Sequence, residues 1–150
     1  AMKYGSIEFV QPPYSMVNES MKDLMLFCEE QGIGTMTYGS LGSGILTGTI
    51  REKPNFDKDD YRLTFYDVYA EPKFTKIQEL LKSIDKIAEA HGKPDAQVAL
   101  NWSTQKSYVS TAICGVRNAK EAEENCATFD WMLSDEEMNM LDNELKRLCL

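Results

Sequence analysis

A chain of 150 residues, 43% of them apolar and 27% charged, is long enough for one domain with its own core and is wrong for a disordered or low-complexity polymer. A net charge of −8 argues against nucleic acid and anionic membrane surfaces as partners, because both reward basic patches. No apolar run approaches the roughly 20 residues of a bilayer span, and nothing at the N-terminus resembles a signal peptide, so the expected location is cytoplasmic.

In chain order, Ile7 to Val10 is a short strand stopped by Pro12 and Pro13, which cannot donate to a ladder. Ser20 with Asp23 resembles a capping box, and Met21, Leu24, Met25 and Cys28 recur at helical spacing up to a stop at Gly32. Gly34 to Tyr38 is a second strand, followed by the glycine-rich turn YGSLGSGILTG. Residues 49–73 then read as a long loop whose five aromatics favour a folded flap. Ile77, Leu80, Leu81, Ile84, Ile87 and Ala88 keep one apolar face to Gly92, and Pro94 opens the next helix, which runs through Val98 and Trp102. Ser110 to Cys114 is a third strand. Asn118 with Glu121 and Ser134 with Glu137 cap two more helices, the last with Met138, Leu141, Leu145 and Leu148 on one face.

Cys28, Cys114, Cys126 and Cys149 form no CxxC pair and read as reduced, buried thiols. His91 is the single histidine, so no metal site is expected.

Alternating strands and helices imply an α/β fold with a parallel sheet, in which functional residues collect at strand C-terminal ends. Here those ends are Gln11 to Tyr14, Tyr38 to Gly44 and Gly115 to Arg117. Cβ-free residues after a strand let backbone N–H groups approach a phosphate or pyrophosphate closely, and Gly115 to Arg117 repeat that logic before a helix N-terminus. Glycines also turn the chain in any α/β protein, so their spacing leaves both readings open.

The succession EFVQPPYSM, YGSLGSGILTG, AQVALNW and ICGVRNAKEAEEN closely resembles the C-terminal part of the aldo-keto reductase family, over essentially the whole chain. The resemblance implies part of a (β/α)8 TIM barrel, about three βα units, and a nicotinamide nucleotide used to reduce aldehydes and ketones or oxidise alcohols. It implies that Gln11 contacts the carboxamide of the nicotinamide, that Tyr38 stacks on its ring, and that Gly39, Ser40, Leu41, Gly42, Ser43 and Gly44 lie along the pyrophosphate. Gly115 and Arg117 would lie toward the adenosine end, Glu124 and Asn125 near the adenine, and Arg62 on the long loop would be a clasp. Each has a plainer alternative: Tyr38 as a core tyrosine, Arg62 paired with Asp57, Asp59 or Asp60, and Asn125 bonded within its helix.

Three departures stand out. Gly39-Ser40 replaces the frequent Ser-Pro, Thr49 replaces a frequent Lys after Leu-Thr-Gly, and Glu121 stands where NADPH-binding members often carry Gln or Arg. A carboxylate repels a 2′-phosphate and accepts from a ribose diol, so the cofactor expectation is NAD(P)H with NADH favoured; Glu121 is equally the natural partner of an Asn118 cap. The catalytic Asp, Tyr, Lys and His of the family lie in its N-terminal half, so no catalytic residue is assigned, and His91 reads as a surface or cap residue. The opening AMKYG reads as the end of a preceding helix. Three parallel strands leave Phe9, Met36 and Ile113 in search of cover, so self-association or pairing with an N-terminal half is expected. Two functions follow: the cofactor-binding part of an oxidoreductase acting on a small carbonyl or alcohol, or a complete, non-catalytic nucleotide-binding or assembly module.

Overall fold

In the computed structural model, which describes residues 2–57, 59–60 and 65–150, the described residues follow that alternation. Strand β1 (Phe9–Val10) leads through helix α1 (Lys22–Glu30) to β2 (Gly34–Thr37). Helices α2 (Lys73–His91) and α3 (Asp95–Thr104) precede β3 (Thr111–Ala112), after which come α4 (Ala119–Cys126) and α5 (Asp135–Leu148). Short 3₁₀ turns cover Gly42–Thr47, Asp67–Tyr69 and Ala127–Asp130.

The sheet is parallel in the order β1-β2-β3, with Phe9 opposite Gly34, Val10 opposite Thr35, Met36 opposite Thr111 and Thr37 opposite Ala112. Thr35 and Thr37 are buried toward the helices, and their hydroxyls extend the pairing: Thr35 Oγ1 donates to the Tyr108 carbonyl at 2.6 Å and Thr37 Oγ1 to the Thr111 carbonyl at 3.3 Å. The opposite face is open. Phe9 (58% exposed) lies across Gly34, where any Cβ would overlap its ring, and Tyr38 and Ile113 are also exposed.

The core lies on the helical side. Helix α2 buries Phe74, Ile77, Leu80, Leu81, Ile84, Ile87 and Ala88 against α3 and α5. Helix α3 is buried over Gln97 to Ser103, so it carries no solvent face there. Its Trp102 stacks on Tyr14 with ring centroids 5.6 Å apart and donates through Nε1 to Asp142 of α5 at 2.7 Å. Ser134 and Glu137 form the expected reciprocal cap of α5, and the Asn118 side chain accepts from the Glu121 N–H to cap α4. The cap expected at Ser20 does not form. Helix α1 starts one residue after Met21, and Asn18 Oδ1 takes both the N–H and hydroxyl of Ser20. Nor are all the thiols buried: Cys28 is, whereas Cys126 and Cys149 are exposed. No helix among the described residues is long and apolar enough to cross a membrane.

Leu81→Ala removes a fully buried side chain of α2 and is expected to cost about 2–5 kcal/mol. Leu24→Ala, on the exposed side of α1, is expected to cost less than about 0.5 kcal/mol. Urea midpoints at unchanged m-value measure both.

Candidate functional site

Because the strands run parallel, their C-terminal ends share one rim. There the end of β2 is fastened on both sides. The Tyr38 N–H donates to the Pro12 carbonyl and the Tyr14 N–H to the Tyr38 carbonyl, both at 3.1 Å, and the Ile113 N–H donates to the Thr37 carbonyl at 2.7 Å. The register puts Pro13, Tyr38 and Ile113 in one row, with Gln11, Met36 and Thr111 in the row beneath. Tyr38 is 47% exposed and Gln11 is exposed. The two predicted nicotinamide residues thus stand on the same open face, one row apart, and Tyr38 is not a core tyrosine.

The chain leaves Tyr38 through backbone that only glycine adopts easily. Gly39, Gly42 and Gly44 have φ of +68°, +56° and +92°, and Ser43 joins them at +58°. Gly42 is also sterically required, since a Cβ there would sit 2.7 Å from Val17 Cγ2. The backbone amides of Gly39, Ser40 and Leu41 donate to no group among the described residues. The Ser40 side chain is buried with its hydroxyl unpaired, which costs roughly 1–3 kcal/mol unless a ligand or water takes it. Unpaired donors at a strand end suit an anionic oxygen, so the exposed Gly39 and the half-buried Leu41 fit the pyrophosphate of a dinucleotide, whereas Ser40 is buried. Tyr69 crosses from the following loop to donate its hydroxyl to the Ser43 carbonyl at 2.9 Å. Arg62, the expected clasp, lies outside the described residues.

At the third strand end the predicted adenosine residues are already engaged with one another. Arg117 grips Glu121 through Nη2 at 2.7 Å and Nε at 3.0 Å, and its backbone N–H donates to the same carboxylate at 2.9 Å. These bonds hold the Glu121 carboxyl below its usual range and raise the Arg117 guanidinium. Glu124 points to Lys120 at 3.5 Å. Asn125 lines a cavity of about 220 Å³ together with Ala112, Cys114, Val116, Thr128 and Phe129. Burial pushes the Cys114 thiol up, and the buried Thr128 hydroxyl has no partner. Gly115 is open, with nothing within 4 Å of where a methyl group would stand.

Sequence reasoning missed the supports of this segment. Gln97 Nε2 donates to the Glu124 carbonyl at 2.7 Å while its Oε1 accepts from Trp131 Nε1 at 2.9 Å. Asn101 Nδ2 donates to the carbonyls of Thr128 and Trp131 at 3.3 and 3.1 Å. The signal was two carboxamides inside the apolar stretch AQVALNW. His91 ends α2 and pairs with Glu137 at 2.7 Å, as a helix-end residue would. Among the described residues no three His, Cys, Asp or Glu side chains converge on a metal position.

A family model described as the aldo/keto reductase family matches residues 1–146. An aldo-keto reductase of Bacillus subtilis is 27% identical over 139 residues, covering 91% of this chain and 42% of the relative. A Schizosaccharomyces pombe aldo-keto reductase whose name specifies NADP+ is 30% identical over 132 residues, covering 87% of this chain and 38% of that protein. An Escherichia coli NADH-specific methylglyoxal reductase is 23% identical over 141 residues, covering 93% and 42%. A glycerol dehydrogenase of Gluconobacter oxydans superposes with a TM-score of 0.86 at 28% identity, covering 97% of this chain and 44% of the neighbour. The chain therefore spans less than half the length of the relatives it matches.

Gly42→Ala meets both a left-handed backbone and Val17, and is expected to destabilise by about 2–4 kcal/mol. Gly39→Ala meets the backbone cost alone, about 1–2 kcal/mol. Thermal denaturation of the two variants measures the difference.

Proposed function

Because the chain belongs to the aldo/keto reductase family, we propose that it is the nucleotide-holding C-terminal part of an NAD(P)H-dependent oxidoreductase acting on a small carbonyl or alcohol. On this reading its sheet supplies three strands of a (β/α)8 barrel in the cytoplasm. The observation that carries it is the row pattern at the rim: the half-exposed Tyr38 ring, Gln11 one row below on the same face, and three amides immediately after Tyr38 that have no partner among the described residues.

In this reading Gln11 orients the carboxamide, Tyr38 covers one face of the nicotinamide, and residues 39–44 lie along the pyrophosphate, with donors drawn from the Gly39 to Leu41 amides because those of Gly42 and Gly44 are already given to the Gly39 and Leu41 carbonyls. When bound, the nicotinamide supplies a hydride equivalent for the carbonyl carbon. The role of these residues is to hold and orient; the proton donor belongs to the half of the family fold that this chain does not span. Arg117, Glu121, Glu124 and Asn125 would meet the adenosine end.

For the cofactor, Glu121 favours NADH over NADPH, but only by a small margin, because Arg117 already neutralises much of its charge. The names of the two relatives point in opposite directions, one to NADP+ and one to NADH. Assembly follows from the open face. Phe9, Tyr38 and Ile113 are 58%, 47% and 38% exposed, and we expect them to be covered by a piece carrying the remaining strands, or otherwise by a second copy.

Native mass spectrometry with excess NADH and then NADPH tests the site and the assembly together. A dinucleotide adduct on an oligomer or on a complex with an N-terminal half is expected; a compact monomer that binds neither nucleotide overturns the reading. Tyr38→Ala is expected to weaken binding roughly fivefold, the equivalent of about 1 kcal/mol of lost stacking. Glu121→Gln frees Arg117 and is expected to raise NADPH affinity more than NADH affinity, measured as the ratio of the two dissociation constants.

A further inference from the structure

The far end of the glycine turn is held by an interaction that the function above does not use. Gly48 leaves the turn at φ +72°, and its carbonyl accepts from Arg51 Nε at 2.6 Å. The same guanidinium reaches Asp85 of α2 with both terminal nitrogens, at 3.1 and 2.5 Å, and Asp95 at the first position of α3 with Nη2 at 2.7 Å. A Cβ at Gly48 would collide with the Asp95 carboxylate and Arg51, so the three groups are packed against bare backbone. Gln78 of α2 adds a neutral tie, donating to the Ile50 carbonyl at 3.1 Å.

We propose that Arg51 is the positioning residue of the turn: by bridging Gly48, Asp85 and Asp95 it fixes the end of the 42–48 backbone and the exit of the loop that follows. The device is electrostatic as well as geometric, one cation between two carboxylates. Without the cation, two aspartates would face each other across the α2–α3 junction, and Asp95, only 13% exposed in its side chain, could not escape into water. Among the described residues, Arg51 and Asp85 are the charged groups that bear on Asp95.

Burial, reinforced by Asp85 and opposed by Arg51, pushes the Asp95 carboxyl up from 3.8 to about 6. The sign follows from linkage. A carboxyl raised in the folded state binds more protons folded than unfolded between those values, so its contribution to stability falls as pH rises from about 4 to about 6. Removing Arg51 deepens that fall, because Asp85 and Asp95 are then both charged and unbridged above it.

Arg51→Met is therefore expected to raise the unfolding equilibrium constant by about tenfold at pH 8 and by about threefold or less at pH 5. Arg51→Lys, which can reach one carboxylate but not fork, is expected to recover part of the loss. Asp95→Asn removes the fall between pH 4 and 6 while leaving the Arg51–Asp85 pair in place. Hydrogen exchange of residues 42–50 at pH 8 reads the positioning directly, with about tenfold lower protection expected in Arg51→Met and an intermediate value in Arg51→Lys. A pH-independent loss, or unchanged protection over 42–50, overturns the proposal. Its consequence for ligand binding rests on the function proposed above: Arg51→Met should weaken dinucleotide binding about tenfold. If the unmodified chain, alone or completed, binds no dinucleotide, that reading fails, while the pH profile and exchange data still decide the role of Arg51.

Discussion

Everything at the rim depends on β2 being gripped between two parallel neighbours, although β1 and β3 are only two residues long and supply few ladder bonds. Side chains make up the difference. Thr35 donates its hydroxyl to the Tyr108 carbonyl and exchanges bonds with Ser110, and Thr37 reaches the Thr111 carbonyl. Behind the sheet, the Tyr14 and Tyr108 hydroxyls meet at 2.8 Å, joining the segment after β1 to the segment before β3. Burial raises the pKa of both phenols, so both stay neutral and the link persists across the ordinary pH range. Tyr14 stacks on Trp102, which passes the constraint to α3 and, through Asp142, to α5.

The glycine turn lives with two opposed demands. On the proposed reading its amides must be bare, which calls for residues with little side chain and left-handed backbone, and such residues are the ones that lose most freedom on folding. A loose turn would hold no ligand well. The structure meets this by anchoring what lies between and beyond the glycines. Ile45 and Leu46 are fully buried, the Ser43 carbonyl is taken by Tyr69, and the Gly48 carbonyl is taken by Arg51. The bare positions thus sit between fixed points.

What the sequence disclosed was whatever depends on near neighbours. The apolar positions read on α2, from Ile77 to Ala88, are buried as a set, and the helix begins earlier than its clearest repeat because Phe74 joins the same face. Caps that need only a residue three places on were legible at Asn118 and Ser134, though Glu121 reaches past Asn118 to the Arg117 amide. Ser20 failed because Asn18 competes for it at even shorter range. Gln11 and Tyr38 were legible as strand-end residues. Arg51 with Asp85 and Asp95, and Gln97 with Glu124 and Trp131, were not: these partners lie 27 to 44 residues apart, and only packing of α2, α3 and α4 brings them together.

Periodicity also revealed which residues share a helix face without revealing what covers that face. On α1 the repeat names Met21, Leu24, Met25 and Cys28, yet only Met25 and Cys28 are buried, while Met21, Leu24, Leu26 and Phe27 stay exposed, as Phe9, Tyr38 and Ile113 do on the open sheet face. Single exposed apolar residues need no explanation; a group of them on one sheet face is the surface that the proposed assembly would cover. Tyr38 belongs to that surface and to the candidate site alike. On the proposed reading, covering the sheet and completing the nucleotide site are therefore one event. A dinucleotide that binds only the completed rim then stabilises the assembly by its own binding free energy, so occupancy of the site and closure of the face are thermodynamically linked.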